Sequence, residues 1–452
     1  MHADTATGLT QHLVAQALAL RYAELPARAR TLATQCITDW LAVTIGGHPD
    51  PLVQRLLADL AEQGGAPQAT VFGSSVRLPT YYAALVNGTA SHALDYDDVN
   101  YALMGHPSVP VLPALFALAE QRGLAGEALI AAFVAGYEFE CRVGLLIAPG
   151  HYARGFHATA TVGALGAAVA CAHLLQLTPG QAAHAVGIAV TQAAGLKSMF
   201  GSDCKPLHAG NAARIGAQAA CLAARGFVSR LDSLECTQGF AATHSPDFKP
   251  DAALEAPPGG FHLYANLFKY HASCYETHAT IECCRQLREQ HALALPDIQR
   301  VEIRVNPYCD QICNIARPQT GLEAKFSLRQ TATFALAGRD TAAVETFTDD
   351  EIRQPELLAL RDRVAVHLDA AIPASQAWVR VHCEAGGITE SHFDASRPGE
   401  DLVLQGQRLR AKSTSLLSIS MPDAQIKRLF ESLEQLAEPD QFGVLLAAVA
   451  SR

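Results

Sequence analysis

Residues 201–227 read GSDCKPLHAGNAARIGAQAACLAARGF. Lys205 and His208 bracket Pro206, and a run of Ala and Gly follows. The run has the composition of a helix packed closely on most sides, because small side chains let helix backbones approach one another. Its charged start is the anomaly. A helix N-terminus already carries unpaired N–H groups and a partial positive charge. A cation there is unfavourable for the helix alone, and a bound anion is one reason to keep it.

The same placement recurs. In GHPSVPVLPALFALAE, His106 stands just before a helix start. In GFHATATVGALGAAVACAHLL, His157 does the same. Three electropositive helix starts in one region point to a pocket for a substrate with more than one carboxylate. Two further groups carry chemistry. In SHALDYDDVN, Asp95, Asp97 and Asp98 follow His92 closely. The readings there are a hard or borderline metal site, a carboxylate that orients a nearby His, or a solvated acidic loop after a helix. The metal reading lacks a completing ligand pattern. In NLFKYHASCYETHATIEC, the residues Lys269, His271, Cys274 and His278 crowd one short segment, as at a cleft site or a polar hinge. The Gly runs GALGAA and GNAARIG follow no strand and lack the dinucleotide spacing, so they read as helix contacts.

The chain of 452 residues is 49% apolar and only 17% charged. That fits two or three domains with a large core, and scarce charge points to a buried homodimer interface. A net charge of -10 with no basic–aromatic cluster argues against nucleic acid as a partner. The 12 cysteines have no zinc or disulfide pattern, which is the usage of reduced thiols in a cytoplasm. The start MHADTATGLTQHLVAQALALRY lacks a basic region and a cleavage site, so no signal peptide is expected. The longest apolar stretch, VGALGAAVACAHLLQL, is too short to span a bilayer and contains His173, so no membrane association is expected.

Residues 1–265 read as helix after helix. PARARTLATQCITDWLAVTIGG, for example, opens after Pro26 and stops at Gly46-Gly47. Past the Pro/Gly-rich stretch 245–260, the segments IQRVEIRVNPY and WVRVHCEAGG show the period of strands. LEAKFSLRQTATFALAGRD and EIRQPELLALRDRVAVHL read as helices between them. The expected fold is mainly α. A large all-helical domain comprises 1–265 and 403–452, and a smaller α+β lid domain comprises 266–402.

Five stretches together resemble the MmgE/PrpD family: NGTASHALDYDDVN with GHPSVPVLPALFALAE, GFHATATVGALGAA, KPLHAGNAARIGAQAACLAARGF, FKYHASCYETHATIE and LEAKFSLRQTATFAL. They occur in consistent order from about residue 10 to about 450. The family includes 2-methylcitrate dehydratase, cis-aconitate decarboxylase and iminodisuccinate epimerase. The resemblance implies a helical domain plus a lid, a homodimer, no metal or organic cofactor, and a site between the domains. It places Asp95, His106, His157, Lys205 and Lys269 in that site. Cys274 stands where the decarboxylase carries His, and Val99 where it carries Thr. The run SCYETHATIE also departs from the methylcitrate dehydratase pattern.

These departures favour an iminodisuccinate epimerase-like isomerase. The alternatives are a 2-methylcitrate- or citrate-type dehydratase, a cis-aconitate decarboxylase, or an inactive carboxylate-binding protein. In each enzyme a proton moves next to a carboxylate, and cations stabilise the charge that develops there. Lys205 and Lys269 are expected to hold carboxylates, His106 or His157 to act as base, and Asp95 to orient that base. Cys274 is expected among the catalytic residues, and Tyr152, His271 and His278 to bind substrate. His208 is expected to support its loop.

Overall fold

The structure, a computed structural model, describes residues 8–384 and 387–450. The chain forms two compact units, Met1–Phe268 with Asp401–Arg452, and Lys269–Glu400. The joints expected from sequence were 265/266 and 402/403.

The first unit opens with α1 (Leu9–Ala19), α2 (Ala27–Gly47) and α3 (Pro51–Gln63). A minimal antiparallel pair, β1 (Ala69–Thr70) and β2 (Arg77–Leu78), precedes α4 (Thr80–Ala93). Then come α5 (Ser108–Arg122), α6 (Glu127–Ile147), α7 (Gly150–Ala153), α8 (Ala158–Leu174), α9 (Pro179–Val190) and α10 (Cys204–Ala224). Short α11 (Phe240–His244) and α12 (Pro250–Leu254) complete this run; α12 packs on α6. The Pro/Gly-rich stretch 245–260 lies in the first unit.

The Ala and Gly residues of α10 from Ala209 to Ala223 are buried, while Asn211, Arg214, Gln218 and Leu222 form a half-buried stripe. It packs on α4, α5, α8 and α9. At the seam between α4 and α10, two contacts permit only glycine. A Cβ on Gly88 of α4 would lie 2.7 Å from the Gly210 Cα of α10. A Cβ on Gly210 would lie 2.2 Å from the Leu85 carbonyl oxygen. The two helices therefore touch backbone to backbone, which brings the end of α4 and the start of α10 into one region. An aromatic cluster packs on α2, where Trp40 meets Phe116 at 4.7 Å and Phe72 at 5.5 Å between ring centroids.

The second unit carries α13 (His278–His291), β3 (Ile298–Val305), α14 (Gly321–Ala324), α15 (Leu328–Leu336), α16 (Pro355–Arg361), β4 (Val364–Leu368), β5 (Gln376–Cys383) and β6 (Ile388–Asp394). The sheet order is β4-β3-β5-β6; β4 runs parallel to β3 and the other pairs are antiparallel. Helix α13 packs on β5, β6 and α15. The helix expected over EIRQPELLALRDRVAVHL ends at Arg361, and VAVHL is strand β4. Leu357, Leu360 and Val364 keep helical spacing, but Val364 pairs with Val301 and the β-branched run completes the sheet edge.

After the second unit, α17 (Leu402–Leu417), α18 (Asp423–Glu434) and α19 (Gln441–Val449) belong to the first. Helix α17 packs on α2 and α18 on α19. No helix among the described residues is long and apolar enough to cross a membrane.

Gly210→Val should force α4 and α10 apart and cost at least about 1–3 kcal/mol of stability. Denaturant unfolding checks this; wild-type stability in the variant would contradict the backbone contact.

Candidate active site

Helix α4 ends at Ala93, and the chain turns through Asp95 in the left-handed region (φ 51°), where Asp is one of the few residues tolerated. The three acids that follow part company. Asp95 Oδ1 accepts from Lys205 Nζ at 2.8 Å. Asp97 sits between two imidazoles, with His92 Nδ1 2.9 Å and His106 Nδ1 2.9 Å from its Oδ2. Asp98 turns back to the start of α5, where it accepts from the Ser108 hydroxyl at 2.6 Å and the Ser108 N–H at 3.3 Å. The last pair satisfies a donor that α5 cannot pair internally. Asp97 and Asp98 are each 1% exposed, so the loop is not a solvated one.

His106 Nε2 lies 3.8 Å from Asp95 Oδ1, so Asp95, Asp97, His106 and Lys205 form one connected array. His106, Asp95 and Lys205 each keep a partly exposed side chain, at 13%, 14% and 12%. They are the accessible end of a constellation whose back is buried. His92 lies behind, with its ring 4.6 Å from that of His106 and 5.8 Å from that of His157. His157 is the N-cap residue of α8, and its Nδ1 meets His208 Nδ1 at 3.2 Å. His208 therefore supports a site residue directly. Phe200 packs edge-on to the His157 ring and lies 5.1 Å from Lys205 Nζ.

Burial and neighbouring charge divide these groups sharply. Burial lowers His92 to a pKa of about 4, although Asp97 works to raise it. Burial also holds His157 well below the usual imidazole range, with His92 and Lys205 adding to the effect. Burial works to raise Asp97, but His106 and His92 outweigh it and hold the carboxyl well below its usual range. Asp98 is pushed up to about 7, mainly by burial, against the hydrogen bonds from Ser108. Asp97 is thus an anion facing Nδ1 of both imidazoles. With Asp97 ionised, His92 is held in the tautomer whose Nδ1–H donates and whose Nε2 is bare. That Nε2 is buried and has no hydrogen-bond partner among the described residues.

Sequence reasoning put Asp95 behind a histidine. The closer carboxylate to His106 is that of Asp97, and Asp95 pairs with Lys205. His92 and Asp97 are the pair that sequence reasoning did not place in the site. Their signal was present in HALDYDD, where a His at a helix end precedes an acidic turn. One ligand atom each from His92, Asp95, Asp97 and His106 all lie within 4.8 Å of one another, a composition compatible with a borderline cation. The Lys205 ammonium already occupies the Asp95 side, and two imidazoles occupy Asp97.

Tyr152 lies on α7, with Lys197 Nζ 3.6 Å from its ring centroid. In the second unit, Lys269 is 1% exposed. His271 meets Thr341 Oγ1 at 2.8 Å through Nδ1 and Glu282 Oε1 at 3.3 Å through Nε2. The His271 and His278 rings are 4.9 Å apart, and burial holds His278 well below its usual range. The Cys274 thiol donates to Glu276 Oε2 at 2.9 Å.

The sequence matches the MmgE/PrpD N-terminal domain over residues 11–253 and the MmgE/PrpD C-terminal domain over residues 271–435. It is 31% identical to human cis-aconitate decarboxylase over 412 residues, 84% of this chain and 82% of that protein. It is 26% identical to cis-aconitate decarboxylase of Aspergillus terreus (strain NIH 2624 / FGSC A1156) over 381 residues, 79% of this chain and 78% of that protein.

The His92 imidazole should stay neutral from pH 8 to pH 5 and protonate near pH 4. Its folded pKa lies below that of the unfolded chain, about 6.5. Between those values the unfolded state binds more protons, so His92 makes stability fall as pH drops through that window. Nitrogen-15 NMR of the imidazoles checks this; a His92 midpoint near 6.5 would contradict it.

Proposed function

The chain belongs to the MmgE/PrpD family, and on that premise we propose that this enzyme is a lyase that decarboxylates cis-aconitate or a close unsaturated tricarboxylate. One fact supports the reading over epimerisation: the relatives matched across four-fifths of the chain carry the name cis-aconitate decarboxylase. The arrangement of Lys205, Asp95, His106 and Asp97 sets a cation for a carboxylate beside an imidazole, as either reaction requires. The array is the single observation that carries the chemistry. Val99 is held by backbone hydrogen bonds in both directions with Leu267.

The chemistry follows from the electron count. Loss of CO2 from the CH2–carboxylate arm leaves an allylic carbanion. Its electron pair moves through the double bond to the carbon that bears a carboxylate at the far end. That carboxylate takes up the charge as an enolate, and a proton then goes to the carbon. The trianion plus one proton gives CO2 and a methylene-bearing dicarboxylate dianion.

Lys205 binds the carboxylate on which charge accumulates, where a preorganised cation favours the transition state over the ground state. Asp95 aims that ammonium. His106 delivers the proton from Nε2, while Asp97 holds its Nδ1 and fixes the ring. His157, kept neutral by burial, lines the α8 N-terminus as a hydrogen-bonding partner for a second carboxylate. Lys269 keeps the site role implied by the family resemblance, Cys274, Tyr152, His271 and His278 keep the roles expected of them from the sequence, and Lys269→Ala is the direct probe of the first.

Incubation with cis-aconitate in D2O with EDTA present tests the reading. The expected outcome is CO2 release with one solvent deuteron in the product, on the carbon next to a carboxylate. Hydration without CO2 would indicate a dehydratase instead. Deuterium entering a dicarboxylate without net change would indicate an epimerase. In the same assay Lys205→Ala should lose at least ~2 kcal/mol of transition-state stabilisation in kcat/KM. A wild-type kcat/KM in that variant would remove Lys205 from the mechanism.

A further inference from the structure

Lys412 lies on α17, more than 300 residues along the chain from the acidic turn, and its side chain is 2% exposed. Its Nζ is 2.6 Å from Asp39 Oδ1 on α2 and donates to the Tyr96 carbonyl oxygen at 2.7 Å. It also lies 4.0 Å from the centroid of the Tyr96 ring, and Tyr96 is fully buried. Tyr96 stands between Asp95 and Asp97. The first of these holds Lys205 and the second holds His92 and His106. Three other points fix the same turn: the left-handed Asp95, the Asp98–Ser108 cap, and the Val99–Leu267 bridge. The peptide between the two site acids has Lys412 as its side-chain anchor.

We propose that Lys412 is a positioning residue for the reaction. Its ammonium, held by Asp39, pins the Tyr96 carbonyl so that Asp95 faces Lys205 while Asp97 faces the two imidazoles. It touches neither substrate nor reacting atoms. A buried ion pair is weak evidence of a purely stabilising role, because apolar residues of similar volume are often as stable or more so. A pair that also donates to the backbone of a catalytic turn has a use that apolar residues could not supply.

The inference rests on the 95–106 cluster being the reactive site. It does not require cis-aconitate to be the substrate, so its test uses whichever polycarboxylate the wild type converts. Lys412→Gln, Lys412→Arg and the pair replacement Asp39→Leu/Lys412→Met are compared by thermal unfolding and steady-state kinetics. In Lys412→Gln, kcat should fall about tenfold or more, because small misplacement of reacting groups has large effects. KM should rise several-fold, because Asp95 no longer aims Lys205; a simple loss of folded protein lowers apparent kcat and leaves KM unchanged. Arg at the position should restore most of both. The pair replacement should melt near the wild type and still show the deficit in kcat and raised KM, since Tyr96 has lost its donor. Wild-type kcat and KM in folded Lys412→Gln, or in the pair replacement where Lys412→Gln fails to fold, would overturn the proposal.

Discussion

A buried anion shared by two imidazoles is the constraint on which the rest of the first unit turns. Asp97 is 1% exposed, and a carboxylate so placed is expensive unless it is paired and hydrogen-bonded. His92 and His106 supply the contacts. The protein has to bring the end of α4, the residue before Pro107, and the intervening turn together around Asp97 and keep that carboxylate dry. Each surrounding feature serves that demand. Asp98 ties the turn to α5, Lys412 ties it to α2 and α17, and Asp95 carries the pairing outward to Lys205.

The Ala and Gly of α10 belong to the same demand. A leucine-rich helix could not lie backbone to backbone on α4, and the Gly88–Gly210 contact is what sets Lys205 near the turn after His92. The same small residues let α8 pack on α10, where Gly216 meets Ala167, and this brings His157 alongside. Packing density and site geometry are here one property of the sequence. The charged start of α10 is tolerated because Asp95 receives the ammonium.

Much of this was legible in the residues themselves. Helical punctuation by Pro and Gly, the placing of His157 and Lys205 at helix starts and the strand period of β3 and β5 all come from local patterns, which short-range physics dictates. Other features depend on contacts distant in sequence. VAVHL continues a helical spacing and becomes a strand only because β3 offers an edge. The acidic turn has the composition of a solvated loop and is buried because α2, α5 and α17 close over it. Lys412 carried no signal at all, since nothing near it in sequence marks it as a partner of Tyr96. The balance between epimerisation and decarboxylation was read from Cys274 and Val99. Two positions weigh less than likeness to decarboxylases across four-fifths of the chain.

The central claim is that Asp97 acts on the reaction through His106 as one unit. A double-mutant cycle in kcat with Asp97→Asn and His106→Gln addresses it most directly. If the two form one unit, the double variant is about as slow as the slower single variant, as for groups that act together. Fully additive losses in the activation free energy would contradict the account.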